Sequence, residues 1–378
     1  MPAMTQQHDL IEATKENTMT TMTGVELRPL IVPRQLTDAD AADFIEMAEV
    51  RNQVCREVAG HDDNAMTAAE LLPHYRPTPY EERFSWVIVL DGRIVGRANV
   101  DLPTEEGSRV AYWIVEVIRE AQGRGLGSEA YALVEATARE QGRTVLQAWA
   151  EHSECPGERL AAPTGFGSLP AEESAVRFFA KHGYTLEQIE RCSALDLQGP
   201  FDAIERLLDS ARSTTGDYRV VSWFAPTPAE HVDGYAHMKA RMVTDAPAAG
   251  MEYDEEVWDE ARIRRFEQLH LDGGTTLRVV AAQHIETGEL AAFSELTLRA
   301  DRTAATHQND TLVLKEHRGH QLGTLVKCEN LVAWREFAPE SPRVITYNAE
   351  ENRPMLDINE ALGFVPIAYE GAWKKVLD

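Results

Sequence analysis

The sequence predicts an α/β protein with a mixed sheet, built as two similar halves. Three observations predict it. The chain has 378 residues, too many for one ordinary core and enough for two or three domains. Short apolar β-like runs alternate with longer amphipathic patterns along its length. The same series of elements is also written twice.

The repeat is read from three markers. Residues 113–127, WIVEVIREAQGRGLG, and 309–323, NDTLVLKEHRGHQLG, each run from a β-like stretch through a short polar segment into a Gly-containing turn that opens a helix. Their closing glycines, Gly127 and Gly323, lie 196 residues apart. Upstream, Asp91-Gly92 joins FSWVIVL to RIVGRANVDL, and Thr287-Gly288 joins LRVVAAQHI to ELAAFSELTL; Gly92 and Gly288 are again 196 apart. Both read as β-hairpins in which Gly takes the positive φ of a tight turn. Downstream, strands near 144–150 and 343–349 each lead to a helix ending in a Gly corner, at Gly183 and Gly363, now 180 apart. The difference of about 16 residues is an insertion in the first half, the Pro/Gly-rich stretch 154–170.

The remaining elements follow in order. The first half opens with a strand near VELRPLIV and a helix near 37–57, with Thr37 as the candidate N-cap. The second opens with YRVVSWF, a helix near 228–243 and another near 255–268. In FDAIERLLDSARS, 201–213, the spacing of Phe201, Ile204, Leu207, Leu208 and Ala211 is that of a one-faced helix, which reads as the connector. The expected organisation is a disordered tail over 1–24, a first domain over 25–213 and a second over 218–378, with the boundary near 213–217.

Composition excludes several function classes. No apolar run approaches the roughly 20 residues of a membrane span, and the polar N-terminal stretch lacks the apolar centre of a secretory signal, so a cytoplasmic protein without membrane association is expected. Cys55, Cys155, Cys192 and Cys328 form no metal-ligand spacing; reduced thiols and no metal are expected. The 37 basic residues against 62 acidic ones give a net charge of −25, which repels nucleic-acid backbones. That surface either attracts a cationic amine or serves solubility alone. Monomer and homodimer stay open.

The turn Gln122-Gly123-Arg124-Gly125-Leu126-Gly127 carries the chemistry. The first amides of a helix have no internal partner and sit at the positive end of its dipole. Glycines let the backbone curl until these amides converge on an anion, commonly a phosphate. The turn lacks the Lys-Ser/Thr of a nucleoside-triphosphate loop and the spacing of the dinucleotide fingerprint. A plain tight turn is the competing reading.

QGRGLG ahead of a helix, followed by a strand and a helix ending in HGY, resembles the GNAT superfamily of acetyl-CoA-dependent N-acetyltransferases, whose signature is Gln/Arg-x-x-Gly-x-Gly/Ala. The first half matches at Gln122, Gly125 and Gly127. The second matches at Arg318 and Gly323 but has Gln321 where the middle Gly is expected. The resemblance covers both halves after residue 25 and is of the tandem type found in mycothiol synthase and other actinobacterial acyltransferases.

The resemblance implies two acyl-CoA N-acyltransferase domains with acetyl-CoA as donor and no metal. Its pantetheine arm would lie between two splayed strands, held by backbone near Val115 and Val117, or Thr311 and Val313. Its diphosphate would rest on Gln122, Gly123, Arg124, Gly125, Leu126, Gly127 and Ser128, or on Arg318, Gly319, His320, Gln321, Leu322, Gly323 and Thr324. A Cβ at Gln321 is expected to hinder the approach. Asn348 and Asn352 stand where relatives contact the cofactor, although Asn352 reads equally as a helix N-cap.

Where many relatives carry a Tyr acid in the last helix, this chain has Phe179 and Asn359; Tyr347 or a water replaces it, or the thiolate leaves unassisted. The base candidates are Glu116, Asp310 and His307, with Glu295 in a hairpin, each of which also reads as ordinary strand or surface decoration. Trp113, Trp149 and Trp258 are core or acceptor-pocket residues, and Met242, Asp245 and Pro247 belong to a candidate acceptor loop. The expected function is acetyl transfer to a primary amine of a small cationic molecule. The alternatives are acetylation of a protein or peptide amine, and non-catalytic CoA-binding or scaffold halves.

Overall fold

The computed structural model describes residues 24–378, so the expected tail lies outside the described residues except for Gly24. The first half runs β1 (Val25–Pro29), α1 (Ala42–Ala59), α2 (Ala68–Tyr75), β2 (Glu81–Leu90), β3 (Arg93–Pro103), β4 (Val110–Val117), α3 (Leu126–Glu140), β5 (Val145–His152), a small hairpin β6 (Arg159–Ala161) and β7 (Ser168–Pro170), α4 (Ser174–Lys181) and β8 (Thr185–Asp196). Helix α5 (Asp202–Thr214) follows. The second half runs β9 (Tyr218–Phe224), α6 (Ala229–Asp245), α7 (Glu260–Asp272), β10 (Thr276–His284), β11 (Leu290–Leu298), β12 (Thr306–Val313), α8 (Leu322–Phe337), β13 (Arg343–Ala349), α9 (Arg353–Leu362) and β14 (Val365–Val376). The insertion thus folds as the hairpin β6–β7, apart from the main sheet.

Local chemistry sets most of these boundaries. At the first hairpin Asp91 and Gly92 both have positive φ, 51° and 82°, the primed turn whose twist matches the strands. Helix α2 begins with a capping box: Glu70 N–H donates to the Thr67 hydroxyl, and Thr67 N–H to the Glu70 carboxylate. Thr37, by contrast, is not the cap of α1. The Gln35 amide donates to Asp38 and the Ala41 amide to the Asp38 carbonyl, so 35–41 wind as turns and the helix starts at Ala42, with Ala41 in the cap position.

Twelve strands form one mixed sheet in the order β1-β2-β3-β4-β5-β14-β8-β13-β12-β11-β10-β9. The halves exchange their closing strands: β14 pairs with β5, and β8 with β13. At the seam β8 and β14 pair antiparallel with Glu190 opposite Glu370, two positions 180 residues apart, the offset of the Gly corners. An approximate twofold axis therefore passes between them. The exchange buries each closing strand in the other core. Trp373 of β14 lies in the first-half core, stacked on Phe179 with centroids 4.7 Å apart, while Leu195 and Leu197 join Ile204, Leu208 and Ala211 of α5 in the second-half core. An aromatic contact of this kind adds about 0.5–1.5 kcal/mol beyond area burial.

Candidate active site

Each half opens a gap between two parallel strands. β4 pairs with β5 only from Val110 to Tyr112, and β12 with β13 only at Thr306 and His307, whereas β4 continues to Val117 and β12 to Val313. Beyond those pairs the strands part, which leaves the backbone around Val115 and Val117, or Thr311 and Val313, without a ladder partner on that side. The gaps differ in one respect. β4 runs in unbroken register with β3, but β12 carries a bulge against β11 between Gln308 and Thr311.

Both strands end in the same turn. The Gln122 side chain donates to the Val117 carbonyl at 2.9 Å, and Arg318 Nε to the Val313 carbonyl at 3.2 Å, tying each turn to its strand. Gly123 and Gly319 have φ of 75° and 86°; Gly125 and Gln321 follow at 86° and 55° and hold the N-cap positions of α3 and α8. Gln321 takes the left-handed conformation despite its Cβ, and the turn keeps its shape. The cost of that conformation for a residue with a Cβ is about 1–2 kcal/mol. Among the described residues, the amides of 123–127 and 319–324 meet no protein acceptor. The closing glycines serve another purpose: a Cβ on Gly127 would stand 3.4 Å from Phe178, and one on Gly323 3.1 Å from Ile358, so they let α3 and α8 sit close to α4 and α9.

The first turn also gains a cation that the sequence did not point to. Lys181, at the end of α4, donates to Ser128 Oγ at 2.9 Å, beside His182 at 3.2 Å. Only the packing of α4 against α3 brings Lys181 there. Arg124 is exposed, and Arg318 reaches Asp245 at 3.5 Å. Asn352 stands at the N-cap position of α9 but makes no side-chain cap bond. Asn348 accepts from Asn359 Nδ2 at 2.7 Å, and the buried Asn359 Oδ1 has no partner. Phe179 and Asn359 are 4% and 1% exposed. Phe179 is core, and Tyr347 is engaged by Asn64 at 3.0 Å.

On the opposite face of the sheet from α3 and α8, the halves diverge. In the first half a cavity of about 280 Å³ lies between β3–β4 and helices α1 and α2, walled by Arg51, Tyr75, Arg83, Arg97, Asn99 and Asp101 among others. Glu116 pairs with buried Arg97 at 2.5 Å, and Arg97 also donates to the Tyr75 hydroxyl at 2.8 Å. In the second half the same face is filled. Lys239 of α6 is 6% exposed and bonds both Asp310 and Glu295, the latter at 3.2 Å. Its ammonium lies 4.4 Å from the Phe266 ring centroid and 5.4 Å from that of Trp258. Tyr235 donates to Glu295 at 2.5 Å. Burial, countered by Lys239 and reinforced by Asp310, pushes Glu295 up to about 7. His307 contacts the Asp63 carbonyl at 3.1 Å, and burial holds its imidazole below the usual range. The base candidates Glu116 and Asp310 are thus both in ion pairs, and His307 is joined to a loop of the other half.

Comparison with known proteins agrees with this frame. The acetyltransferase (GNAT) family matches residues 55–166, within the first half. A solved tandem GNAT protein from the clavulanic acid biosynthesis pathway, in its form without AcCoA, is 25% identical, and the similarity covers 93% of this chain and 98% of that one with a TM-score of 0.72. The first half matches the GNAT family, and the chain as a whole has the tandem GNAT fold. Two further solved structures share the fold. A GCN5-related N-acetyltransferase from Sphaerobacter thermophilus is 14% identical over 94% of this chain and 97% of that one, with a TM-score of 0.60. A GCN5-related glucosamine N-acetyltransferase region of a fungal multi-domain GH3 β-N-acetylglucosaminidase is 13% identical over 93% of this chain and 38% of that one, with a TM-score of 0.57. No curated protein sequence matches the chain. Among the described residues, no helix is long and apolar enough to cross a membrane, and no cluster of three or more His, Cys, Asp or Glu side chains is placed to hold a metal.

Two loops cross the seam of this tandem fold. Of the candidate acceptor-loop residues, Met242 and Asp245 lie in the last turn of α6 and Pro247 in the segment 246–259, which lies against the first half: Glu252 pairs with Arg109 at 2.8 Å and Tyr253 packs 6.4 Å from Trp149. Reciprocally, Asp63 of the first half pairs with Arg343 at 2.8 Å. Trp149 therefore lies at the seam, next to Tyr112 at 5.8 Å, whereas Trp113 sits among Tyr131, Phe179 and Tyr184 and also lines the first-half cavity. Between the two loops, Glu151, Glu370 and Glu190 stand directly opposite one another on β5, β14 and β8. Trp149 Nε1 donates to Glu190 at 2.9 Å. Burial, then Glu190 and Glu151, push Glu370 up to about 8.

Proposed function

We propose that the first half transfers an acetyl group from acetyl-CoA to a primary amine of a small molecule. One observation carries this reading: the first half combines a splayed gap and a turn of unpartnered amides with a cavity beside the same strand, β4. The residues suit the donor. The amides of 123–127, helped by Lys181, would hold the diphosphate, and the backbone near Val115 and Val117 would hold the pantetheine arm. The bound donor supplies the acyl group as a thioester. A β4 amide at the gap polarises its carbonyl and takes up the developing negative charge. The cavity orients the amine. Its proton goes to His74 on the rim of the cavity, whose imidazole is held below its usual range by partial burial, with Arg83 and Arg51 close by, and CoA leaves as a thiolate that takes a proton from solvent.

The charge of the acceptor is also part of the proposal. The seam sets three glutamates side by side, of which Glu370 keeps its proton, and the chain carries a net charge of −25. Both features support a cationic acceptor. At the turns, the second half should bind acetyl-CoA without turning it over, because Lys239, Phe266 and Trp258 occupy its acceptor side. The test is acetyl-CoA calorimetry together with thiol release across an amine panel. Wild type is expected to bind two equivalents, and Gly125→Trp and Gly323→Trp one each. Turnover should fall about a hundredfold or more in Gly125→Trp, in line with losing the oriented donor, and less than about threefold in Gly323→Trp. Two bound equivalents with no thiol release from any amine would replace this reading with that of a cofactor-binding scaffold.

A further inference from the structure

The cavity of the first half holds information about the acceptor beyond its amine. Its volume, about 280 Å³, is at the lower end of the roughly 300–1,000 Å³ usual for ligand pockets, so it admits a small molecule better than a peptide. Its walls are polar, and most of that polarity is already matched. Arg97 is paired with Glu116, and Arg83 with Asp101 and Glu81. Arg51 differs. One of its terminal nitrogens donates to Asn52 Oδ1 at 3.0 Å and the Asn64 carbonyl at 2.7 Å, but among the described residues no carboxylate pairs with it and its other nitrogens make no hydrogen bond, while the residue lines the cavity. A guanidinium with an open edge is built for bidentate capture of a carboxylate.

A second wall residue is incomplete in the opposite sense. Asn99, 4% exposed, donates through Nδ2 to the Tyr75 hydroxyl at 3.0 Å, but its Oδ1 is buried and accepts from nothing. A buried acceptor left unpaired is destabilising, and an N–H donor of a ligand would satisfy it. Arg51 thus asks for an anion and Asn99 for an N–H, across one small cavity. Tyr112, on the same wall, leads by its ring contact with Trp149 toward Glu190 and the acidic row.

We propose that the acceptor carries a carboxylate as well as its amine, an amino acid or a close derivative, with Arg51 binding the carboxylate and Asn99 Oδ1 accepting from an N–H of the same molecule. This inference rests on the first half being the acceptor site of the proposed acetyl transfer. Calorimetry on the full chain tests it, with a panel of free L-amino acids as probes, each measured beside its own decarboxylated amine. At least one acid is expected to bind roughly tenfold or more tightly than its amine, the range of a charge-assisted bond. Arg51→Gln should erase that preference, Arg51→Lys should keep part of it, and Asn99→Leu should weaken acid and amine alike while leaving the preference intact. If no acid binds more tightly than its amine, including the case in which nothing binds, the inference is overturned. It is overturned equally if Arg51→Gln folds, by circular dichroism, and keeps the preference. Where Arg51→Gln does not fold, the wild-type panel and Arg51→Lys decide. Carboxylate preference without thiol release would strike the acyl-transfer reading alone, and equal thiol release from acids and amines would strike this inference alone.

Discussion

Asn99 and Glu295 occupy the same place in the two halves, 196 residues apart on the second strand of each hairpin, and each carries a buried oxygen without a partner. Their surroundings diverge from there. Asn99 is neutral and opens on a cavity walled by arginines. Glu295 is 0% exposed and has drawn in Lys239, which in turn holds Asp310 and displaces the space that a ligand would need. A neutral amide can wait for a ligand at modest cost, whereas a buried carboxylate demands a permanent counter-charge. Duplication kept the frame of both halves, and the choice of one side chain is tied to whether the acceptor face is open or filled.

Breaking the filled half should have the largest effect on stability. Lys239→Met leaves the Glu295 carboxylate buried beside Asp310 without its cation, and is expected to cost about 3–5 kcal/mol in urea unfolding, with Glu295→Leu as a second change restoring most of it. A cost below about 1 kcal/mol would mean that the ion network does not hold that face together, and the contrast with the first half would lose its cause.

The seam sharpens the comparison next. The Glu370 carboxyl keeps its proton up to about 8 in the folded chain, against 4.5 for an ordinary glutamate, so folding binds a proton across that interval and the wild type loses stability as pH rises through it. Glu370→Gln removes the dependence. Its melting temperature should match wild type near pH 4 and exceed it by several degrees above about pH 8. An advantage at the acidic end instead would show that the glutamate row is not repelling itself.

The smallest effect concerns the turns. Gln321→Gly should stabilise the chain by about 1 kcal/mol and Gly125→Gln should destabilise it by a similar amount, both by thermal melting, since the two positions share a left-handed backbone and differ in Cβ. If Gly125→Gln also left acetyl-CoA binding unchanged, the second turn would be as serviceable as the first.

Much of this was legible in the residues. The 196-residue offset located both hairpins and both turns, because a duplicated frame repeats its glycines wherever positive φ or close packing requires them. The signature around Gln122 pointed to the splayed strand, and the anchoring bond from that side chain to Val117 gives the physical reason for its position. Other features left no local trace. Thr37 looked like a cap but preceded a pair of turns, and Lys181 acquired its place beside Ser128 only through helix packing. The ion pairs of Glu116 and Asp310 join residues 19 and 71 positions apart, and strand alternation could not reveal them.

The sequence by itself determined the order of elements, the doubling and the two glycine-containing turns that open helices, since periodicity, hairpin chemistry and glycine conformation are local properties that a linear pattern records. Only the tertiary structure decided that the closing strands change places, that Glu190 meets Glu370 at the seam, and that Asn99 borders a cavity while its counterpart Glu295 is buried against Lys239. Those outcomes depend on which strand edges and side chains meet across long stretches of chain, where pairing energies and the cost of burying charge are settled between distant residues.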